Sequence, residues 1–249
     1  MQRYFIKIAY DGSDFFGWQT QPREINIQDS LTDAIVLIIK DNNVKLVGCG
    51  RTDTGVHASC YYAHFDLVSP ISDINKTIYK LNNYLSNSIA VKEIIEVSSE
   101  AHARFDADIR TYNYFVHQKK NPFLTKYSLL FLRDLDVEKM NIAAEKLLDH
   151  KDFSAFSKIG SENKSSICKL KEAKWKIADD QLIFTISADR FLRNMVRAIV
   201  GTLLEVGLNK ISVDDFESII KSGSRQKAGA SAPAHALFLS DIKYPFLNA

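Results

Sequence analysis

Gly48-Cys49-Gly50-Arg51-Thr52-Asp53-Thr54-Gly55-Val56-His57 is the stretch from which the rest of the chain is read outward. Glycines at 48, 50 and 55 suit neither a helix interior nor a comfortable strand. They allow positive φ and close approach of the backbone to another group. Just before this stretch, residues 44–47 form a short apolar strand. Just after it, residues 60–67 alternate, with Tyr61, Ala63 and Phe65 on one face and Tyr62, His64 and Asp66 on the other. The stretch is therefore a loop joining two strands. Asp53 sits inside it between Thr52 and Thr54, with Arg51 two residues before. That is how a nucleophile or general base is presented. The same residues also make an ordinary turn in which Asp53 and Thr52 bond to local backbone.

Upstream, residues 3–10 alternate as a strand ended by Asp11-Gly12-Ser13, and an aromatic loop follows through Pro22. Residues 28–40 place Leu31, Ile35, Ile38 and Ile39 on one helical side after a start signal at Asp29 and Ser30. Downstream, a helix over 73–85, capped by Ser72 or Asp73, precedes a strand at 89–97. The order is β-α-β-β-α-β, the ferredoxin-like order.

The second half repeats it. A strand at 110–118 is followed by a helix at 136–149 with Met140, Ala143, Ala144, Leu147 and Leu148 inward. Strands at 169–178 and 181–188 join at Asp179-Asp180, and an apolar helix at 190–206 stops at Gly207. A short helix at 213–221 opens on a capping box, Ser212 with Asp215, and a last strand lies near 236–241. The expected class is α+β: two ferredoxin-like halves, residues 1–105 with the Asp53 loop and residues 106–249. Together they form a wide mixed or antiparallel sheet with helices on one face.

At 249 residues the chain can bury a full core, and 46% apolar with 25% charged residues is ordinary for a globular protein. No apolar run approaches the roughly 18 residues that span a bilayer. The N-terminus alternates like a strand instead of carrying a signal peptide's apolar block, so a cytoplasmic protein is expected. Cys49, Cys60 and Cys168 show no C-x-x-C spacing, which points away from a disulfide framework. Cys49, His57, Cys60 and His64 are the one conceivable metal set, and their spacing fits no zinc pattern, so no metal is expected.

Arg197 is the one polar residue from Met195 to Val200, with Arg190 and Arg193 seven and four positions earlier on the same helical side. A guanidinium in that company either pairs with a carboxylate, for which Asp53 is a candidate, or snorkels to solvent. Lys158, Lys164, Lys169, Lys171, Lys174 and Lys176 face only Glu162 and Glu172 in the run 158–176. Such a run is either a solvated surface or a phosphate footprint. Tyr112 and Tyr114 share one strand face, where they either stack on a base or pack in the sheet. Asp53-Thr54-Gly55 also matches the D-T-G of aspartic proteases, but no second D-[ST]-G occurs and Arg51-Thr52 stand where those enzymes are apolar.

Gly50-Arg51-Thr52-Asp53-Thr54-Gly55-Val56-His57-Ala58 resembles the G-R-T-D-x-G-V-H-A signature of the TruA family of tRNA pseudouridine synthases. Asp11-Gly12-Ser13 through Gln21-Pro22, His102-Ala103-Arg104-Phe105, Arg110 to Tyr114 and Asp152-Phe153-Ser154-Ala155-Phe156 resemble further family motifs in the right order. So do Phe191 to Gly201 and Ala228-Gly229-Ala230-Ser231-Ala232-Pro233. Ala234-His235-Ala236-Leu237 departs from the usual P-x-G-L. The resemblance implies isomerisation of uridine to pseudouridine at positions 38 to 40 of the tRNA anticodon stem-loop, by a homodimer. It implies Asp53 as nucleophile or base, Arg197 as its ion-pair partner and Tyr112 stacked on the target uracil. Arg51 would enter the space left by the flipped base, and Arg190, Arg193, Lys169 and Lys171 would hold phosphates. No cofactor is implied, and the chain carries neither a P-loop nor a dinucleotide fingerprint.

Overall fold

The computed structural model describes residues 1–160 and 165–247, so Glu162 and Lys164 of the basic run lie outside the described residues. The chain is an α+β protein built as two compact units: Met1–Asp108 with Leu239–Ala249, and Ile109–Phe238.

In the first unit, β1 (Gln2–Tyr10) lies between β4 (Ile89–Val97) and β3 (His57–Leu67), antiparallel to both. The short β2 (Val47–Gly48) pairs with β3, so the strand at 44–47 contracts to two residues at its end. The first helix, α1 (Ile27–Ile39), starts two residues before its expected signal. Its cap is Asn26, whose side chain accepts from Asp29 N at 2.8 Å, and Asp29 sits in the first turn instead. In α2 (Ile74–Tyr84) Asp73 is the cap. The last strand, β9 (Leu237–Lys243), lies beside β3 once it has entered this unit.

Both faces of β3 are covered. Tyr61, Ala63 and Phe65 are fully buried on one, and Tyr62 and His64 are buried on the other. There Tyr62 meets Tyr244 edge-on at 5.2 Å, and His64 lies between Phe5 and His102. His64 Nδ1 accepts from Ala103 N at 3.1 Å, Tyr244 donates to Ala103 O at 2.5 Å, and Arg3 donates to Ala101 O at 2.9 Å. These bonds fix the 101–105 turn against the sheet. Burial, with the positive field of Arg3 and then His102, pulls His64 down to about 4 from 6.5. The neutral ring favours the fold above pH 6.5, and that advantage is lost as pH falls from 6.5 through 4, where the unfolded chain binds the extra proton. The shift is worth on the order of 3 kcal/mol. Urea titrations of the wild type and His64→Asn at pH 7, 5.5 and 4.5 are expected to show the wild type losing stability more steeply. Equal pH dependence in both proteins would remove His64 as its source.

The second unit pairs β5 (Ile109–His117) with β8 (Gln181–Ala188), and β8 with β7 (Leu170–Ala178), all antiparallel. A two-residue strand, β6 (Leu129–Leu130), runs parallel to β5 and was not expected. Helix α3 (Val137–Lys146) tightens into a 3-10 turn at Leu147–Asp149, which rotates Leu148 outward to 42% exposure instead of inward. Met140, Ala143, Ala144 and Leu147 are buried as the periodicity requires.

Helix α4 spans Met195–Gly207 and starts five residues later than its pattern suggests. Asp189 Oδ1 takes Arg190 N at 2.7 Å, and Asn194 adopts a left-handed φ of 66°, so residues 189–194 cannot be helical. Arg190 and Arg193 therefore precede the helix and form no stripe along it with Arg197. Helix α5 (Val213–Ser222) carries the expected capping box between Ser212 and Asp215 and ends at Gly223. Where the P-x-G-L departure falls, Ala234–Ala236 make one 3-10 turn before β9.

Candidate active site

Asp53 is held by its neighbours' backbone. The Val56 N–H donates to Asp53 O at 3.1 Å, closing a turn in which Gly55 takes a φ of 75°, and Gly55 N donates to Phe15 O at 3.3 Å. One position before Asp53, Thr52 O accepts from Trp18 N at 3.4 Å. Gly17 has a φ of 84°, and a Cβ there would stand 2.3 Å from Thr52 O, so the aromatic loop reaches the carboxylate's own backbone through a glycine. Of the loop's other glycines, Gly48 makes room for Trp18 and Tyr61, while a Cβ at Gly50 would meet nothing within 4 Å.

Thr52 Oγ1 bonds the Tyr10 hydroxyl at 2.9 Å, and Thr54 is exposed. The base of the loop is pinned by Tyr61, which stacks on Trp18 at 4.2 Å and donates to Gly50 O at 2.5 Å. Burial holds that phenol well above its ordinary pKa, so it remains a donor. His57, fully buried, accepts from Gly12 N at 3.0 Å and anchors the loop's far end. The Asp53 carboxylate is thus half-buried on a stiff support, and Arg51 is exposed beside it. A carboxylate so presented can attack carbon or take a proton.

In the second unit Arg197 is half-buried, and its Nε donates to Ala232 O at 2.7 Å while Ala232 N donates back to Arg197 O at 2.9 Å. A backbone carbonyl therefore joins the two partners the sequence offered for this guanidinium. The segment 228–233 that supplies it is clamped to α4: a Cβ on Gly201 would lie 1.8 Å from Ala230 O, and Gly229 N donates to Thr202 Oγ1 at 3.0 Å. Asn194 donates to Ser231 Oγ at 2.6 Å, and Arg225 reaches Ala228 O, Gly229 O and Ser231 Oγ. The signal for this clamp lay in the A-G-A-S-A-P stretch itself, whose small residues permit such contact.

Tyr112 and Tyr114 divide. Tyr114 is fully buried and donates to Pro233 O at 3.0 Å, so it is core. Tyr112 is half-buried with Phe191 edge-on at 5.2 Å. The Asp189 carboxylate gathers Lys169 N and Arg190 N at 2.8 and 2.7 Å, and Arg110 donates to Asp189 O at 2.6 Å, so Arg110 joins a group that sequence spacing did not assemble. Lys169, Lys171 and Arg193 are exposed. Among the described residues no group of three or more His, Cys, Asp or Glu is placed to hold a metal ion, and no helix is long and apolar enough to cross a membrane.

A family model described as tRNA pseudouridine synthase matches residues 143–245. The tRNA pseudouridine synthase A of Bacteroides fragilis is 49% identical over 98% of this chain and 97% of its own, and that of Parabacteroides distasonis 48% over 98% and 97%. Among solved structures, the archaeal box H/ACA sRNP Nop10-Cbf5 complex overlays with a TM-score of 0.36 at 9% identity, over 93% of this chain and 58% of that chain. Nearly half the residues are shared with the two bacterial relatives, over almost the full length of each, and the chain belongs to the TruA family of tRNA pseudouridine synthases, which are isomerases.

Proposed function

We propose that the chain isomerises uridine to pseudouridine in the anticodon stem-loop of tRNA, at positions 38, 39 and 40, and works as a cytoplasmic homodimer. The observation that carries the reading is the Asp53 carboxylate, half-buried on a loop whose backbone is bonded on both sides of it. The N1 to C1′ bond breaks, the uracil turns, and C5 bonds to C1′. The C5 proton leaves and N1 gains one, so no atom or electron is gained from a co-reactant. Attack of Asp53 on C1′, attack on C6 and elimination at C1′ all require the same ionised carboxylate.

Arg197 is proposed as the ion-pair partner of Asp53, held in orientation by Ala232 O. Tyr112 stacks on the flipped uracil, and Arg51 fills the space that the base leaves. Lys169, Lys171, Arg190 and Arg193 hold phosphates and position the RNA without reading its sequence.

Incubation with an unmodified tRNA transcript tritiated at C5 of uridine, in EDTA and without added cofactor, tests the reaction. Tritium release with pseudouridine at 38 to 40 is the expected result, and binding without release would defeat it. Sedimentation tests the dimer, which has twice the 28.2 kDa of one chain. Tyr112→Phe is expected to keep tRNA affinity near wild type, whereas Tyr112→Ala loses roughly five- to a hundredfold, the range of one stacked base. Equal affinity of the two variants would take the stacking role from Tyr112.

A further inference from the structure

Residues 10–18, from the end of β1 through the aromatic loop, form the bed on which the Asp53 loop lies. Gly17 and Trp18 close on Thr52 O, Phe15 O takes Gly55 N, and Gly12 backs onto Val56 O, where a Cβ would stand 2.1 Å away. Those contacts are made by main chain. Tyr10 adds one through its side chain, and it reaches the residue that immediately precedes Asp53: its hydroxyl lies 2.9 Å from Thr52 Oγ1, 42 residues along the chain.

The strand ladder is shaped for this bond. Ile8 pairs with Tyr61 but Tyr10 with Ala58, so β1 advances two residues while β3 advances three, and the pairing slips just before Tyr10. An extra residue of this kind bends its strand and re-aims the side chains beside it. Tyr10 is 4% exposed, with its ring 5.6 Å from that of Tyr61, and Thr52 is 8% exposed. A β-branched side chain has few χ1 choices, and the bond to Tyr10 holds Thr52 in one of them. Trp18 N holds the Thr52 carbonyl as well, so the peptide that leads into Asp53 is fixed from both side chain and backbone.

Neither hydroxyl is a charge, and burial keeps both from the RNA. What the pair does for the reaction therefore passes through Asp53. We propose that Tyr10 is a positioning residue for the isomerisation: through its bond to Thr52 Oγ1 it sets where the Asp53 carboxylate meets the uridine. This rests on the reading of Asp53 above and deepens it.

The test measures single-turnover tritium release, tRNA affinity by filter binding and melting temperature on the full chain. The variants are Tyr10→Phe, Thr52→Val, Thr52→Ser and the double variant Tyr10→Phe, Thr52→Val. Tyr10→Phe keeps the ring against Tyr61 and removes the hydroxyl alone. It and Thr52→Val are each expected to slow release per folded molecule roughly ten- to a hundredfold, the reach of a displacement of about 1 Å at the reacting group, with tRNA affinity at the wild-type level. The double variant is expected to be no slower than the slower single one, because one bond cannot be lost twice. Thr52→Ser keeps the hydroxyl and is expected to recover most of the loss. A role in stability alone would lower the melting temperature and leave the rate per folded molecule at the wild-type value, which overturns the proposal. So do losses that multiply in the double variant, or a Thr52→Ser as slow as Thr52→Val. Asp53→Asn run alongside separates the two readings. Full release by that variant removes Asp53 from the reaction and the role of Tyr10 with it, whereas no release there with wild-type release by Tyr10→Phe removes Tyr10 alone.

Discussion

Asp53→Asn is expected to release no measurable tritium from C5-labelled tRNA while binding the transcript with wild-type affinity. A positioned general base contributes roughly 10²- to 10⁴-fold, and loss of a covalent nucleophile costs more, so the fall is at least about a hundredfold. The loss is expected in kcat, because on the proposed mechanism the carboxylate acts on the reacting atoms and the substitution changes no other side chain. The substitution leaves the support of the loop in place: Thr52 O with Trp18 N, Asp53 O with Val56 N and Gly55 N with Phe15 O are main-chain bonds. Melting temperature and far-UV circular dichroism are therefore expected to match the wild type. Single-turnover kinetics and filter binding on the same preparation separate the two effects. A variant that keeps half of the wild-type rate would remove Asp53 from the chemistry and leave it the turn residue its neighbours also allow.

Gly201→Val acts from inside the second unit. The first atom of any side chain there would stand 1.8 Å from Ala230 O, and the listener on the other side is backbone, which cannot swing away as a side-chain tip can. Either α4 or residues 228–233 must move, at a cost of about 3 kcal/mol. For a chain of this size that lowers the melting temperature by roughly 6 to 12 °C. The displaced segment also withdraws Ala232 O from Arg197 Nε, a bond of 2.7 Å, so tritium release by the folded fraction is expected to fall about tenfold or more. Gly50→Ala is the matched control, because a Cβ there meets nothing within 4 Å and the melting temperature is expected to hold. Calorimetry on the pair decides the matter: equal melting temperatures would show that α4 and the 228–233 segment are not in forced contact.

The parts of this molecule that repeat at short period were legible. Alternation found β1, β3 and β5 within a few residues, helical spacing found α1, α2 and α3, and the capping box of Ser212 with Asp215 found α5. The loop carrying Asp53 was legible because glycines and a carboxylate between two alternating runs leave few other readings. What escaped depended on single backbone bonds. The start of α4 was masked because residues 190–194 keep a helical pattern, while the Asp189 carboxylate and the left-handed Asn194 decide otherwise. Leu148 turned outward because one 3-10 step ends α3. The partner that holds Arg197 was invisible for a related reason, since Ala232 offers a carbonyl and its side chain says nothing about it.

The first unit is discontinuous in the chain, completed by residues from Leu239 onward that follow the whole of the unit spanning Ile109–Phe238. During synthesis at about 5 to 20 residues per second, the earlier residues wait on the order of ten seconds for their last strand. Over that interval β3 leaves the ribosome with part of one edge unfilled, an adhesive border of the kind that proteins usually cover. The buried Cys60 beside Ile242 is shielded only once β9 arrives. A chain that stops before residue 239 therefore keeps that stretch of the β3 edge open, and β9 is the element that covers it.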